Sequence, residues 1–127
     1  MTEIQYIGDL NAKLLSAHFG QLRTSKVVLT SERLSHINQK HAADIPWLQQ
    51  YANSILAAPD YILLDNKNDG TILMIKHLQT TNLNLVVRLA LATDELNKQN
   101  SVMTFFRLRD KNLQRLLKLQ KTLYKAE

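Results

Sequence analysis

The sequence of 127 residues contains no cysteine, only two prolines and only three glycines. Without cysteine the chain can form no disulfide, no thiolate zinc site, no iron–sulfur cluster and no cysteine nucleophile. With so little proline and glycine it shows no interdomain linker, so we expect one domain over residues 1–127. It also lacks the run of about 18 apolar residues that a transmembrane helix needs.

The sequence also lacks the basic start and apolar stretch of a secretory signal peptide, since Glu3 and Asp9 lie where that basic region would be. We therefore expect a cytoplasmic protein, with release by a route that needs no signal peptide left open. The content of 45% hydrophobic and 21% charged residues is that of an ordinary globular chain.

Positive charge is concentrated near the end of the sequence. Residues 1–106 carry nine basic and nine acidic side chains, whereas residues 107–127 carry seven basic and two acidic ones, so the last segment holds the whole net charge of +5. A basic segment of this kind favours an anionic partner, such as a nucleic acid, an acidic protein or a membrane surface.

The first half of the sequence mainly predicts helices. Residues 8–18 form a short helical pattern, and Lys26–Leu29 is a brief β-branched run. Thr30 or Ser31 is suited to cap a second helix. Three residues at spacing i, i+3, i+7 share one face of that helix: Leu34, Ile37 and His41.

A third helix is predicted to begin at Asp44-Ile45-Pro46, with Asp44 as its N-cap and the proline in its first turn. The pair Ala58-Pro59 ends it.

The second half predicts four strands and one helix. The strand patterns cover residues 61–65, 71–78, 84–93 and 101–108, and an Asp-Gly turn joins the first two. Residues beyond 110 show helical periodicity as far as Tyr124, with a basic stripe beside an apolar one. Short loops between consecutive strands predict an α+β fold: N-terminal helices packed on a four-stranded antiparallel sheet, followed by a basic C-terminal helix.

The polar residues favour chemistry without a metal. His36 and His41 are five positions apart, about 140° around a helix, which is not the i, i+4 arrangement of a helical zinc site. Asp65 and Asp69 flank the predicted turn and are interpreted as turn formers. We expect no metal site and no cofactor.

Histidine, lysine, arginine and hydroxyl side chains together suit the cleavage of RNA. A histidine can take the proton of the ribose 2′-hydroxyl, and a cation can neutralise the charge that develops on phosphorus. Arg88 interrupts an apolar strand pattern, so it emerges on the face opposite the leucines. The same composition also fits surface cations and structural histidines.

Six motifs in order carry a family resemblance: TSERLSHINQKH (30–41), AAPDYILLD (57–65), TILMIK (71–76), VVRL (86–89), NSVMTFFRLR (100–109) and LYK (123–125). From about residue 23 to 125 the sequence resembles the phage-associated branch (PBECR) of the barnase/EndoU/colicin/RelE-like nuclease superfamily. The resemblance implies N-terminal helices followed by a four-stranded antiparallel sheet. It also implies a metal-independent endoribonuclease from a phage, prophage or toxin setting.

The resemblance assigns the candidate site residue by residue. His36 or His41 is the expected general base or acid, Lys76 and Arg88 contact the phosphate and the transition state, and Ser101 and Thr104 donate hydrogen bonds to phosphate. Thr71 and Asn100 match the same motifs. The basic residues that begin the last segment are expected to bind substrate: Arg107, Arg109, Lys111 and Arg115.

Two spacings in this assignment require local irregularities. Ser101 and Thr104 are three residues apart and would face opposite sides of a regular strand, so a bulge must separate them if both serve one site. The angle between His36 and His41 requires His41 to lie at a frayed helix end. Phe106 stands where many relatives have tryptophan.

Two alternative functions remain open from the sequence. The basic C-terminal segment is compatible with a non-catalytic nucleic-acid-binding module, whose binding would weaken with salt. It is also compatible with a protein-interaction module that meets an acidic inhibitor or immunity protein. A membrane-surface role is not expected, because the apolar stripe of the last helix is needed for packing.

Overall fold

The fold is α+β and is described here from a computed structural model that covers residues 3–94 and 98–127. Its strands are β1 (Ile4–Asp9), β2 (Lys26–Thr30), β3 (Tyr61–Leu64), β4 (Thr71–His77), β5 (Asn82–Arg88), β6 (Asn100–Leu108) and β7 (Lys121–Lys125). Its α-helices are α1 (Ser16–Phe19), α2 (Ser31–His41), α3 (Ile45–Ala57) and α4 (Asp110–Leu119), and 3-10 turns cover Ala12–Leu14 and Ala42–Asp44.

All seven strands belong to one mixed sheet in the order β1-β2-β6-β5-β4-β3-β7. From β3 to β6, each strand pairs antiparallel with the next one along the chain. Strand β2 instead pairs parallel to β6 through Val27 and Val28. The edge strands β1 and β7 pair antiparallel to β2 and β3. The prediction of a four-stranded antiparallel sheet beneath N-terminal helices is therefore wrong, because both ends of the chain add strands to it.

The predicted basic C-terminal helix is also wrong beyond Leu119. Helix α4 ends there, and Lys121–Lys125 pairs with β3 as an edge strand. Leu116 and Leu117 pack against one face of the sheet, whereas Leu123 and Tyr124 pack with the core on the other face. A continuous helix could not place these side chains on both faces, so the chain changes conformation between them.

The predicted helix over residues 8–18 is likewise replaced by shorter pieces. Residues 8 and 9 belong to β1, and only a 3-10 turn and the four-residue α1 follow. Gly8 lies at a register shift in β1, beside Asn53 and Leu56 of α3, where a larger residue would collide with both side chains.

The two longer helices begin where the sequence predicts. Thr30 Oγ1 accepts a hydrogen bond from the Arg33 backbone N–H at 3.2 Å and so caps α2. Helix α3 has Pro46 in its first turn and ends at Ala57. Asp44 precedes α3 but makes no side-chain cap; its carboxylate instead accepts from the backbone N–H and Nε–H of Arg107, at 3.3 and 2.5 Å.

The sheet separates two cores. The first face is the one covered by α2 and α3, where Ile37, Leu48 and Ile55 pack against Leu85 and Phe105. The second face is the one on which α4 packs, with Leu113 and Leu116 contacting the smaller core. No helix among the described residues is long and apolar enough to cross a membrane.

Candidate functional site

A cavity of about 910 Å³ opens on the second face of the sheet. Strands β4, β5 and β6 form its floor, and the turn between β3 and β4 closes one end. Helix α2 supplies one wall through Arg33 and His36, and α4 supplies the other through Asn112 and Arg115. Helix α2 reaches this position because it continues directly from β2, the parallel neighbour of β6, and packs along β6.

The floor carries polar side chains in register across three strands. Arg88 of β5 is the direct partner of Thr71 on β4 and of Ser101 on β6. Residues directly opposite each other in an antiparallel pair point to the same face. Thr71 and Arg88 therefore line the cavity side by side, and Ser101 flanks Arg88 on that face.

A bulge in β6 brings Thr104 to the same face. The register changes there, so that Val87 pairs with Val102 while Val86 pairs with Thr104 and Met103 is the additional residue. Ser101 and Thr104 thus share the second face although they are three residues apart. The bulge that their spacing requires is present.

Contacts beside the cavity fix the guanidinium of Arg88. Its Nη1–H donates to the Leu89 carbonyl at 2.6 Å, and Nη2 lies 3.6 Å from Asp94 Oδ1. The Asp94 carboxylate is itself held, since Oδ2 accepts from the Leu91 backbone N–H at 2.7 Å. A charge positioned in this way needs little reorganisation to bind an anion.

The two histidines of α2 differ in position. His36 is among the residues that line the cavity, whereas His41 is not. His41 is the last residue of α2, and its φ of −140° and ψ of 42° depart from helical geometry. Its ring stacks on Phe106, with centroids 5.1 Å apart, and Phe106 lines the cavity. The non-helical end that His41 requires is therefore observed.

The lining is richer in positive than in negative charge. Its cations are Arg33, Lys67, Arg88 and Arg115, and its carboxylates are Asp65 and Asp69. Asp65 is engaged within its turn, as predicted, because Oδ1 accepts from Lys67 N–H at 2.9 Å and Oδ2 from Asn68 Nδ2 at 3.1 Å. Even when Asp94, which pairs with Arg88, is counted, positive charges outnumber negative ones, which favours an anionic ligand.

Lys76 is not brought to this cavity. Lys76 lies on the face of β4 opposite to the residues that contact the smaller core. Its Nζ donates to the Ala58 carbonyl at 2.8 Å, at the end of α3 on the first face. A cation at the C-terminal end of a helix stabilises the helix dipole. The structure thus gives Lys76 a contact remote from Arg88.

The predicted substrate-binding cations are spread over different surfaces. Arg115 lines the cavity, whereas Arg107 binds Asp44 and lies over the Trp47 ring, 5.3 Å from its centroid. Arg109 and Lys111 are exposed where α4 begins. Asn100 is fully buried, accepting from Ala90 N–H and donating to the Thr24 and Lys26 carbonyls.

Sequence reasoning missed several polar residues of the lining, among them Arg33 and Asn84. Arg33 precedes His36 by three positions, a spacing that places both on one helix face. Asn84 shares the strand parity of Val86 and Arg88, so its position on the second face was available from the alternation, although its burial was not.

Comparisons with models of protein families, with curated proteins and with solved structures find no match to this chain. Within residues 3–94 and 98–127, no three histidine, aspartate or glutamate side chains are grouped so that they could hold a metal ion.

Proposed function

We propose that the protein is an endoribonuclease that cleaves RNA through attack of the ribose 2′-hydroxyl, with histidine acid–base catalysis and no metal cofactor. The observation that carries the proposal is the shared cavity of His36, Arg88, Thr71 and Thr104 on the second face. The motif resemblance to phage-associated nucleases supports the same reaction. A cytoplasmic location, where RNA is plentiful, is part of this proposal.

In the proposed reaction, a histidine of the α2 wall takes the proton of the 2′-hydroxyl as its oxygen attacks phosphorus. The bond from phosphorus to the 5′-oxygen breaks, and that oxygen takes a proton from a second acid. His36 and His41 fill these two roles. The products are a 2′,3′-cyclic phosphate and a 5′-hydroxyl.

The other residues stabilise the charge that develops on phosphorus. Arg88 is held against the floor and binds the non-bridging oxygens, and the hydroxyls of Thr71 and Thr104 donate hydrogen bonds to them. Arg33 and Arg115 stand on opposite walls and bind the flanking phosphates.

The test is incubation of purified protein with total RNA in EDTA, followed by mapping of the new ends. Cleavage with cyclic phosphate ends is expected, and His36→Ala should lower its rate by about 10²–10⁴-fold, the usual contribution of general acid–base catalysis. His18→Ala is the matched control, because His18 is an exposed histidine on α1.

Two outcomes would contradict the proposal. Unchanged cleavage in both His36→Ala and His41→Ala would remove the assigned mechanism. RNA that is bound but remains intact would favour the non-catalytic nucleic-acid-binding module instead.

A further inference from the structure

Asn84 places an amide with an unpaired oxygen in the floor of the cavity. The residue is 1% exposed, and its Oδ1 is the buried side-chain oxygen or nitrogen that lacks a hydrogen-bond partner in the described part of the chain. Its direct neighbours on the two adjacent strands are Ile75 and Phe106, which offer no polar side-chain group. A buried unsatisfied polar atom lowers stability, so its presence at a cavity points to a ligand.

The other buried asparagines are fully bonded. Asn82 donates from Nδ2 to the Leu108 carbonyl and to Asp110 Oδ1, and its Oδ1 lies 2.6 Å from His77 Nδ1. Asn100 has three comparable contacts. These two side chains join segments of the fold, whereas the amide of Asn84 does not.

An aromatic ring lies beside this amide. Phe106 is the direct cross-strand partner of Asn84, lines the cavity and is supported by the stacked ring of His41. An aromatic surface next to a side chain that both donates and accepts is the combination that proteins use for an unstacked RNA base.

The distance to Arg88 suits a nucleotide. Asn84 and Arg88 lie on the same face of β5, four residues apart, which is about 13 Å along a strand. The Arg88 guanidinium is held toward Leu89 and Asp94, away from Asn84, so a phosphate at Arg88 and the base of a neighbouring nucleoside at Asn84 lie toward opposite ends of one cavity.

We infer that Asn84 and Phe106 form a subsite for one nucleobase of the RNA, in which the amide of Asn84 reads the edge of the base and Phe106 stacks on its plane. This inference rests on the proposed RNA substrate. It adds base selectivity to a cleavage reaction that the other cavity residues carry out.

The test measures binding of the four 3′-nucleoside monophosphates and, in parallel, the sequences at which RNA is cut. The wild type should prefer one base, and Asn84→Leu should reduce that preference by about fivefold to a hundredfold, as expected for loss of a paired base edge. Asn84→Asp keeps the shape but replaces the amide donor by an acceptor, so it should change the order of preference.

Stability measurements separate base reading from a structural role. Asn84→Leu should melt at or above the wild-type temperature because it removes an unpaired polar atom. Asn82→Leu, the matched control, should melt lower because it leaves its partners unpaired. If the melting temperature of Asn84→Leu falls as far as that of Asn82→Leu, the amide of Asn84 is structural and the inference is overturned.

The failures of the two proposals are distinguishable. If the wild type cuts RNA without base preference, or if Asn84→Leu retains the preference, the subsite is overturned and the nuclease stands. If the wild type selects one nucleotide through Asn84 but leaves RNA intact, the nuclease is overturned and the subsite stands.

Discussion

At the scale of single residues, Gly70 and Arg88 depend on each other. Gly70 ends the turn before β4 with a φ of +71°, and the Arg88 guanidinium occupies the space that a side chain at this position would need. The backbone carbonyl of Gly70 also accepts from the Leu89 N–H at 2.8 Å. Glycine therefore serves both the turn and the placement of the arginine.

We predict that Gly70→Ala destabilises the fold by about 1–2 kcal/mol, the cost of a left-handed conformation for an L-residue, and also displaces Arg88. RNA cleavage by the folded variant should fall, as measured on RNA in EDTA. Gly20→Ala is the control, because Gly20 has a φ of +70° but nothing within 4 Å of an added Cβ. Equal cleavage by the two variants would contradict the displacement.

Lys76 gives a second prediction at this scale. Lys76→Met should lower the free energy of unfolding by about 0.3–1 kcal/mol, because it removes a cation from the C-terminal end of α3. Urea unfolding measures this loss, and RNA cleavage should be unchanged. A loss of cleavage at unchanged stability would instead return Lys76 to the catalytic set that the motif resemblance implies.

The alternation of side chains between the two faces of a strand explains why this site was only partly predictable. Arg88 was identifiable because a cation in an apolar alternation must emerge on one defined face. Thr71 and Lys76 match a single family motif, but they are five residues apart on a regular strand and so face opposite sides. Asn84 was visible as a polar strand residue, yet its burial depends on tertiary packing, which the alternation along a strand does not predict.

At the scale of elements, a small polar cluster links the end of β1 to Ser25, the residue before β2. The Tyr6 hydroxyl donates to Asp9 Oδ2, and Ser25 Oγ–H donates to Asp9 Oδ1 at 3.0 Å. These hydrogen bonds hold the pKa of Asp9 below its ordinary value of 3.8, and the same carboxylate raises the pKa of Tyr6. The folded state therefore favours an ionised Asp9.

We predict an acid-sensitive contribution from this cluster. Because the folded-state pKa of Asp9 is lowered, its stabilisation is fully present above a pH of about 4 and is lost as the pH falls through the folded-state value. Urea midpoints measured across this range should show a shallower acid decline in Asp9→Asn than in the wild type. An equally steep decline in both proteins would contradict the assignment.

The sequence predicted elements that carry local signals. Thr30 and Pro46 mark the beginnings of α2 and α3, and the Asp-Gly turn marks the β3–β4 hairpin. The parallel pairing of β2 with β6 joins residues more than 70 positions apart and leaves no local pattern. Strand β7 was missed because Leu123 and Tyr124 continue the helical spacing of Leu113 and Leu116.

At the scale of the whole molecule, the fold redistributes the charge. Of its seven basic residues, the final segment supplies only Arg115 to the cavity, while Arg33, Lys67 and Arg88 come from the neutral first part of the sequence. Arg107 is paired with Asp44, and Lys121 and Lys125 lie exposed on the β7 edge. The positive character of the cleft is thus a product of folding rather than of the basic segment.

We predict that RNA binding depends on salt through these cavity cations. Each phosphate contacted on a single strand contributes about 0.7 to the slope of log affinity against log salt. Arg115→Gln should reduce the slope by about that amount in binding titrations at several salt concentrations. Lys118→Gln on the same helix, exposed and outside the lining, is the control and should leave the slope unchanged.

The order of the strands has a consequence for the protein while it is being synthesised. The walls of the cavity come from α2, in the first third of the chain, and from α4, around residue 115. Strand β7 comes directly after α4 and pairs with β3. A nascent chain on the ribosome cannot close this wall until residues 110–125 have emerged from the exit tunnel. If the cavity cuts RNA, the ribosome that makes it is thus spared until this segment has emerged.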